Sequence, residues 1–225
     1  RPMQKGPYAD WSRGRTPITS FTSPEQGVRR IRKHIKRLKS ASYNYVYTTD
    51  IDTLAHKYGT DSEQVANELI LNDQFLASLR DALPDSAKMI VTADHGSINV
   101  PDDRHFLLKH DDILLSYLSV PPTGESRNPV FHVRPGSEDE FARVFADSVF
   151  GEYFELLDLD DIEELKLFGP EPLSTHSRNH LGSFIAIAKG PFALEYVGEG
   201  QEPNGHRGFH GGLSPEEMRV PLFIA

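Results

Sequence analysis

Apolar and polar positions along this chain follow two rhythms, and each rhythm predicts its own kind of element. Val28, Ile31, Ile35 and Leu38 recur at spacings of three and four, which predicts an amphipathic helix from about Pro24 to Lys39. Seven basic residues (Arg29, Arg30, Arg32, Lys33, Lys36, Arg37, Lys39) cover its remaining faces and read as a solvated surface. The stretch SYNYVYTTDID, residues 42–52, is aromatic and β-branched and reads as a strand ending in carboxylates. Thr60 and Glu63 then have the spacing of a capping box, and Val65, Leu69, Leu76, Leu79 and Leu83 line one face of a helix that Pro84 stops. KMIVTAD follows as a second strand. Strand, helix and strand in that order predict a βαβ unit, and hence a parallel sheet with covering helices.

After residue 97 the rhythm changes. NPVFHVRPG reads as strand and turn, SEDEFARVFADSVFG as an amphipathic helix, YFELL as a strand and DLDDIEELKLFG as a short acidic helix. Strand signals return at SFIAIAK, FALEY and VPLFIA. The expected organisation is an α/β core, residues 24–102 and 171–225, interrupted by a small inserted α+β lobe over 103–170. Within that insertion, residues 128–168 are expected to pack as a βαβα lobe and shape substrate choice, because the segment leaves the core directly after the Asp94–His95–Gly96 turn. Residues 1–23, rich in Pro, Gly, Ser and Thr, read as a linker. The chain opens RPMQKGPYADW and closes within an apparent strand, so both ends are expected to continue in a longer protein.

Composition narrows the chemistry. With 38% apolar and 25% charged residues the chain has the make-up of an ordinary globular domain. No apolar run approaches the roughly 18 residues of a membrane span, and a net charge of −9 argues against general nucleic-acid binding. Zero cysteines exclude disulfides and thiolate metal sites, so any metal must be held by His and Asp.

Three short stretches carry such residues. In VTADHGS, Asp94 and His95 stand together at the carboxyl end of an apolar run, where open α/β sheets bind ligands, and Gly96 lets the backbone turn. In DIDTLAHKYG, Asp52 and His56 are four residues apart, so one helical turn or a tight loop brings both to one ion. Asp50, two residues earlier, is an alternative to Asp52 if the stretch is extended. In NGHRGFHGGLSPEEM, His206 and His210 lie in a glycine-dense loop before a helix start, where Ser214, Pro215 and Glu217 form a capping box. His34, His105, His110, His132, His176 and His180 lack comparable settings and read as structural or surface residues. Asp52, His56, Asp94, His95 and His210 form a set without sulfur, which suits two nearby divalent ions better than one closed structural zinc.

The phrases DTLAHKYG, TADHG and HRGFHGGLSPEEMRVP, in this order and separation, resemble the motifs of the type I phosphodiesterase/nucleotide pyrophosphatase family of the alkaline phosphatase superfamily. The likeness spans residues 42–225. It implies a three-layer α/β/α sheet of the alkaline phosphatase kind and hydrolysis of phosphoric esters, with diesters or nucleotide pyrophosphates as substrates. It also implies two divalent ions: one held by Asp52, His56 and His210, the second by Asp94 and His95. Zinc is the family's metal, and manganese or iron accept the same ligands. The family's second metal takes a further aspartate, and its chemistry a threonine or serine nucleophile that carries a covalent intermediate. Thr16, Thr19, Ser20, Thr22 and Ser23 do not sit between a strand and a helix as that nucleophile does, so both groups are expected upstream of residue 1. Cofactor-independent phosphoglycerate mutase also resembles the D-x-x-x-H and A-D-H-G phrases, so a phosphoglycerate mutase-like enzyme, or a phosphomonoesterase of the same superfamily, is an alternative. Without the nucleophile, a catalytically silent metal-binding or interaction domain is the alternative from another class.

Overall fold

A computed structural model describes Gly14 and residues 16–225. The linker-like opening lies largely outside the described residues. The chain forms two compact units, one of Thr49–Ala66 with Thr92–Leu222, the other of the described residues up to Thr48 with Asn67–Val91 and Phe223–Ala225.

In the smaller unit, helix α1 (Pro24–Ile35) starts as the sequence predicts, with Ser23 accepting the Gln26 N–H at 3.3 Å. Gly27 is buried because a Cβ there would meet the rings of Phe21 and Phe75 at 3.2 Å. The segment 42–49, expected as a strand, is irregular here, and Tyr43 and Tyr45 are largely exposed. A strand needs a neighbour for its backbone donors and acceptors, and none of the described strands borders this one. The carboxylates expected at its end open a helix instead. In α2 (Asp50–Tyr58), Asp50 and Asp52 occupy the first turn, where the helix dipole favours negative charge. The predicted βαβ unit is therefore not formed.

Helix α3 (Glu63–Ala82) ends just before Pro84, as expected. Its cap is Ser62 rather than Thr60. Ser62 Oγ accepts the Val65 N–H at 3.3 Å, while the Thr60 N–H goes to Asn99 Oδ1 at 2.7 Å. Ser62→Ala should therefore cost about 1 kcal/mol and Thr60→Ala much less, measured by urea unfolding. The apolar face also differs from expectation, since Phe75 is buried and Leu69 is half exposed. The short strands β1 (Ile90–Thr92) and β10 (Leu222–Ile224) pair, and beyond them Met89 and Ala225 exchange both backbone hydrogen bonds.

The larger unit carries most of the strands. β2 (Ile98–Asn99) pairs antiparallel with β9 (Gly208–Phe209), and β3 (His105–Lys109) pairs parallel with β8 (Ala193–Val197). A four-stranded antiparallel sheet has the order β4 (Thr123–Glu125), β5 (Asn128–Phe131), β7 (Phe184–Ala188), β6 (Phe154–Asp158). So the mixed α/β class stands, but parallel pairing does not dominate among the described strands. β7 comes from beyond residue 170 and lies between β5 and β6, where register puts Leu157 opposite Ile185 and Phe131 opposite Phe184. Helix α4 (Glu138–Asp147) lays Phe141 and Phe145 on Phe131, and short helix α5 (Val149–Tyr153) adds Phe150 to the same core. Short helix α6 (Leu159–Glu164) buries Ile162 against Leu157 and Ile185. A separate apolar cluster of Val100, Ala193 and Phe209 underlies β2 and β9. It fixes the strands that carry the site.

Candidate metal centre

The site grows from the β2–β9 pairing. Ile98 stands opposite Phe209, so the turn before β2, with Asp94 and His95, meets the loop after β9, with His210. Along β9 successive side chains point to opposite faces. Phe209 enters the apolar cluster, and His210 turns the other way. Its ring stacks on that of His95, centroids 3.8 Å apart and planes at 17°.

Helix α2 packs on the far edge of β9. The Arg207 N–H donates to His56 O at 2.8 Å, and His56 Nδ1 lies 2.8 Å from Gly208 O. Gly208 is required by this close approach, because a Cβ would stand 2.5 Å from Ala55 O. Gly208→Ala must push α2 off β9 and is expected to cost about 1–3 kcal/mol. Urea unfolding checks this, and two-dimensional NMR should show the His56 ring moved.

One helical turn places Asp52 Oδ1 at 3.3 Å from His56 Nε2, and His210 Nε2 lies 3.9 Å from the same oxygen. The ligand-type atoms of these three residues lie within 4.8 Å of one another. Two donors on one tetrahedral zinc, each at about 2.0–2.2 Å, are roughly 3.3–3.6 Å apart. The trio is close to that spacing. Gly208 O can only accept, so His56 Nδ1 carries a proton, and in the neutral ring a metal ligand needs, Nε2 presents a lone pair to Asp52. Asp52 Oδ1 is buried without a hydrogen-bond partner. Two lone pairs facing each other across 3.3 Å are what a cation relieves. These residues fit a divalent metal.

Burial, with the neighbouring His95 ring, pushes the His210 imidazole below the ordinary histidine range. Burial, then His56, does the same to His206. Both are thereby held neutral near pH 7, the state a metal ligand needs. His206 lies against the His56 ring, centroids 4.4 Å apart, but is not one of the three clustered donors. Where the sequence leads one to expect a second ion, His95 Nδ1 lies 2.9 Å from Gly96 O, and in the neutral ring its Nε2 is the acceptor, 3.9 Å from Asp94 Oδ1. All five expected residues thus gather at one end of the β2–β9 pair. Asp50, in the first helical turn, does not share the clustered face of Asp52 and His56.

Of the remaining histidines, His105 is well buried and pairs with Glu195 at 3.0 Å. The sequence reading missed Arg127 and, beyond its capping role, Glu217. Arg127 Nε and Nη2 donate to the two carboxylate oxygens of Glu217, and both side chains are 1% exposed. Burial alone would raise the Glu217 carboxyl. Hydrogen bonds from Arg127 and the Gly212 N–H outweigh it and hold the group below the usual carboxylate range.

Residues 9–213 match the type I phosphodiesterase / nucleotide pyrophosphatase family. No curated protein matches the chain. Among solved structures, human ectonucleotide pyrophosphatase / phosphodiesterase 5 aligns over 93% of this chain and 54% of its own, with 18% identity and a TM-score of 0.68. An inactive form of the murine protein in complex with AMP aligns over 92% and 53%, with 19% identity and a TM-score of 0.63. Phosphonoacetate hydrolase from Sinorhizobium meliloti 1021, in complex with phosphonoformate, aligns over 96% and 54%, with 16% identity and a TM-score of 0.61. The chain spans about half the length of the structures it matches, and these likenesses show a shared fold of the alkaline phosphatase kind.

Proposed function

The chain belongs to the type I phosphodiesterase / nucleotide pyrophosphatase family, and on that footing we propose that it forms the metal-binding part of a hydrolase of phosphoric esters, with phosphodiesters or nucleotide pyrophosphates as substrates. The observation that carries the proposal is the convergence of Asp52, His56 and His210, with Asp52 Oδ1 buried and unpartnered. In this reading the three hold one divalent ion, zinc by family, while Asp94 and His95 contribute to a second. Bound there, the ions would activate the threonine or serine hydroxyl and the water that later releases the covalent intermediate, and would neutralise charge growing on phosphoryl oxygens.

The protein's own residues prepare that chemistry. Gly208 O holds the His56 ring with Nε2 toward Asp52, and Gly96 O holds His95 in the same tautomer. Neutral His210 presents its donor from the loop after β9. The threonine or serine nucleophile and a further aspartate would come from outside these residues. A nucleotide phosphate suits the site, in keeping with the AMP held by the murine relative. The segment 128–168 would bound the substrate side of the core.

Calorimetry tests the reading. AMP should bind the chain in the presence of zinc, and the heat should vanish with a chelator. AMP binding that is indifferent to the chelator would sink it. Zinc binding with no affinity for AMP, or for a nucleotide diester, would favour the silent metal-binding alternative.

A further inference from the structure

We propose that Arg127 and Glu217 act as a positioning clamp that sets His95 and His210 against each other. This rests on the metal-binding reading of the site. Glu217 lies in short helix α7 (Pro215–Met218), and two bonds from it reach the two histidine loops. Its carboxylate accepts the Gly212 N–H at 2.8 Å, two residues beyond His210. Its main-chain carbonyl accepts the Gly96 N–H at 2.8 Å, one residue beyond His95. One residue therefore spans the two turns whose imidazoles stack at 3.8 Å.

Arg127 fixes the orientation of that carboxylate. Its fork engages both oxygens, and Nη1 donates to Gly190 O at 2.8 Å and Phe192 O at 2.7 Å, between β7 and β8. The packing leaves no slack. A Cβ on Gly212 would stand 2.7 Å from both Arg127 Nη2 and Glu217 Oε2, and one on Gly96 would stand 1.9 Å from Glu216 O. Capping a four-residue helix does not require a buried arginine. Desolvating two charges is costly, and an apolar pair of similar volume often stabilises as well or better. A planar guanidinium locked two-to-two on a carboxylate supplies direction instead. Here the direction is toward the backbone of the two histidine turns.

The test compares the chain with Glu217→Gln, Arg127→Lys and, as a control, Phe145→Leu, whose ring packs on Phe131, Phe141 and Phe150. Zinc affinity is read by calorimetry, and cobalt(II) absorption reports ligand geometry. Glu217→Gln and Arg127→Lys should weaken zinc about 10–100-fold, the range for groups that orient metal ligands, and alter the cobalt spectrum. Phe145→Leu should lower the thermal midpoint while leaving both unchanged. Zinc affinity and cobalt spectrum like those of the unmodified chain in Glu217→Gln, with only a lower midpoint, would overturn the clamp. If Glu217→Gln does not fold, Arg127→Lys, which keeps the buried charge but loses the fork, decides in the same way. If the unmodified chain binds no zinc, the metal reading has failed on its own, and amide exchange at Gly96 decides the clamp. That amide bonds the Glu217 main chain, which the substitution leaves in place. Exchange about ten-fold faster in Glu217→Gln supports the clamp, and unchanged exchange refutes it.

Discussion

His210→Ala is expected to abolish zinc binding at the Asp52–His56–His210 position, whereas His206→Ala should leave it largely intact. The two histidines lie four residues apart in one glycine-rich loop, and both rings approach His56. Their roles differ because of the strand between them. His210 follows β9 and turns toward Asp52 Oδ1, 3.9 Å away, while His206 precedes β9 and lies against the side of the His56 ring. Loss of a group that only orients a ligand costs about 10–100-fold in metal affinity, and loss of one of three donors should exceed about 100-fold. Calorimetry with zinc separates the cases. Damage from His206→Ala with tolerance of His210→Ala would mean the assignment is reversed.

Arg127→Ala should destabilise the fold by about 3–5 kcal/mol at pH 7, because it leaves the Glu217 carboxylate buried without its counter-charge. The pH dependence identifies the cause. In the intact protein the Glu217 carboxyl is held below its ordinary value of 4.5, so its contribution is present above that value and lost as pH falls through the lower folded one. Without Arg127, burial dominates and favours the protonated acid, so folding takes up a proton where it previously released one. The stability gap between the two proteins should therefore be widest near neutrality, begin to shrink as pH falls through the raised carboxyl of the variant, and go on shrinking below about 4.5, where the intact protein loses its own contribution. Urea unfolding at several pH values measures it. A gap that is constant with pH would mean lost packing rather than an unpaired charge.

How much of this was legible in the sequence depended on whether a feature is local. The four-residue spacing of Asp52 and His56 allowed one helical turn or a tight loop, and α2 provides the helical turn. The elements from 128 to 164 followed their periodicity closely, because each buries its own apolar residues in clusters that β7 and β8 also join. The alternation of Tyr43, Tyr45 and Tyr47 misled. Period-two aromatics make a strand only where another strand offers hydrogen bonds, and no described strand borders that segment. The meeting of His95 with His210 was legible only as two suggestive loops. Their apposition comes from the β2–β9 register, which depends on Phe209 entering a cluster with Val100 and Ala193. Arg127 and Glu217 gave no signal of burial. Both sit in polar stretches, GESRN and SPEEM, and the capping box already accounted for the glutamate.

The central claim is that α2 and the loop after β9 build a metal centre. Anomalous X-ray scattering from zinc-soaked crystals of the chain tests it most directly. The account predicts a peak about 2.0–2.2 Å from Asp52 Oδ1, His56 Nε2 and His210 Nε2, with any second peak roughly 4 Å away beside Asp94 and His95. A peak bound instead by His206, or by His105 and Glu195, with the trio left bare, would contradict it.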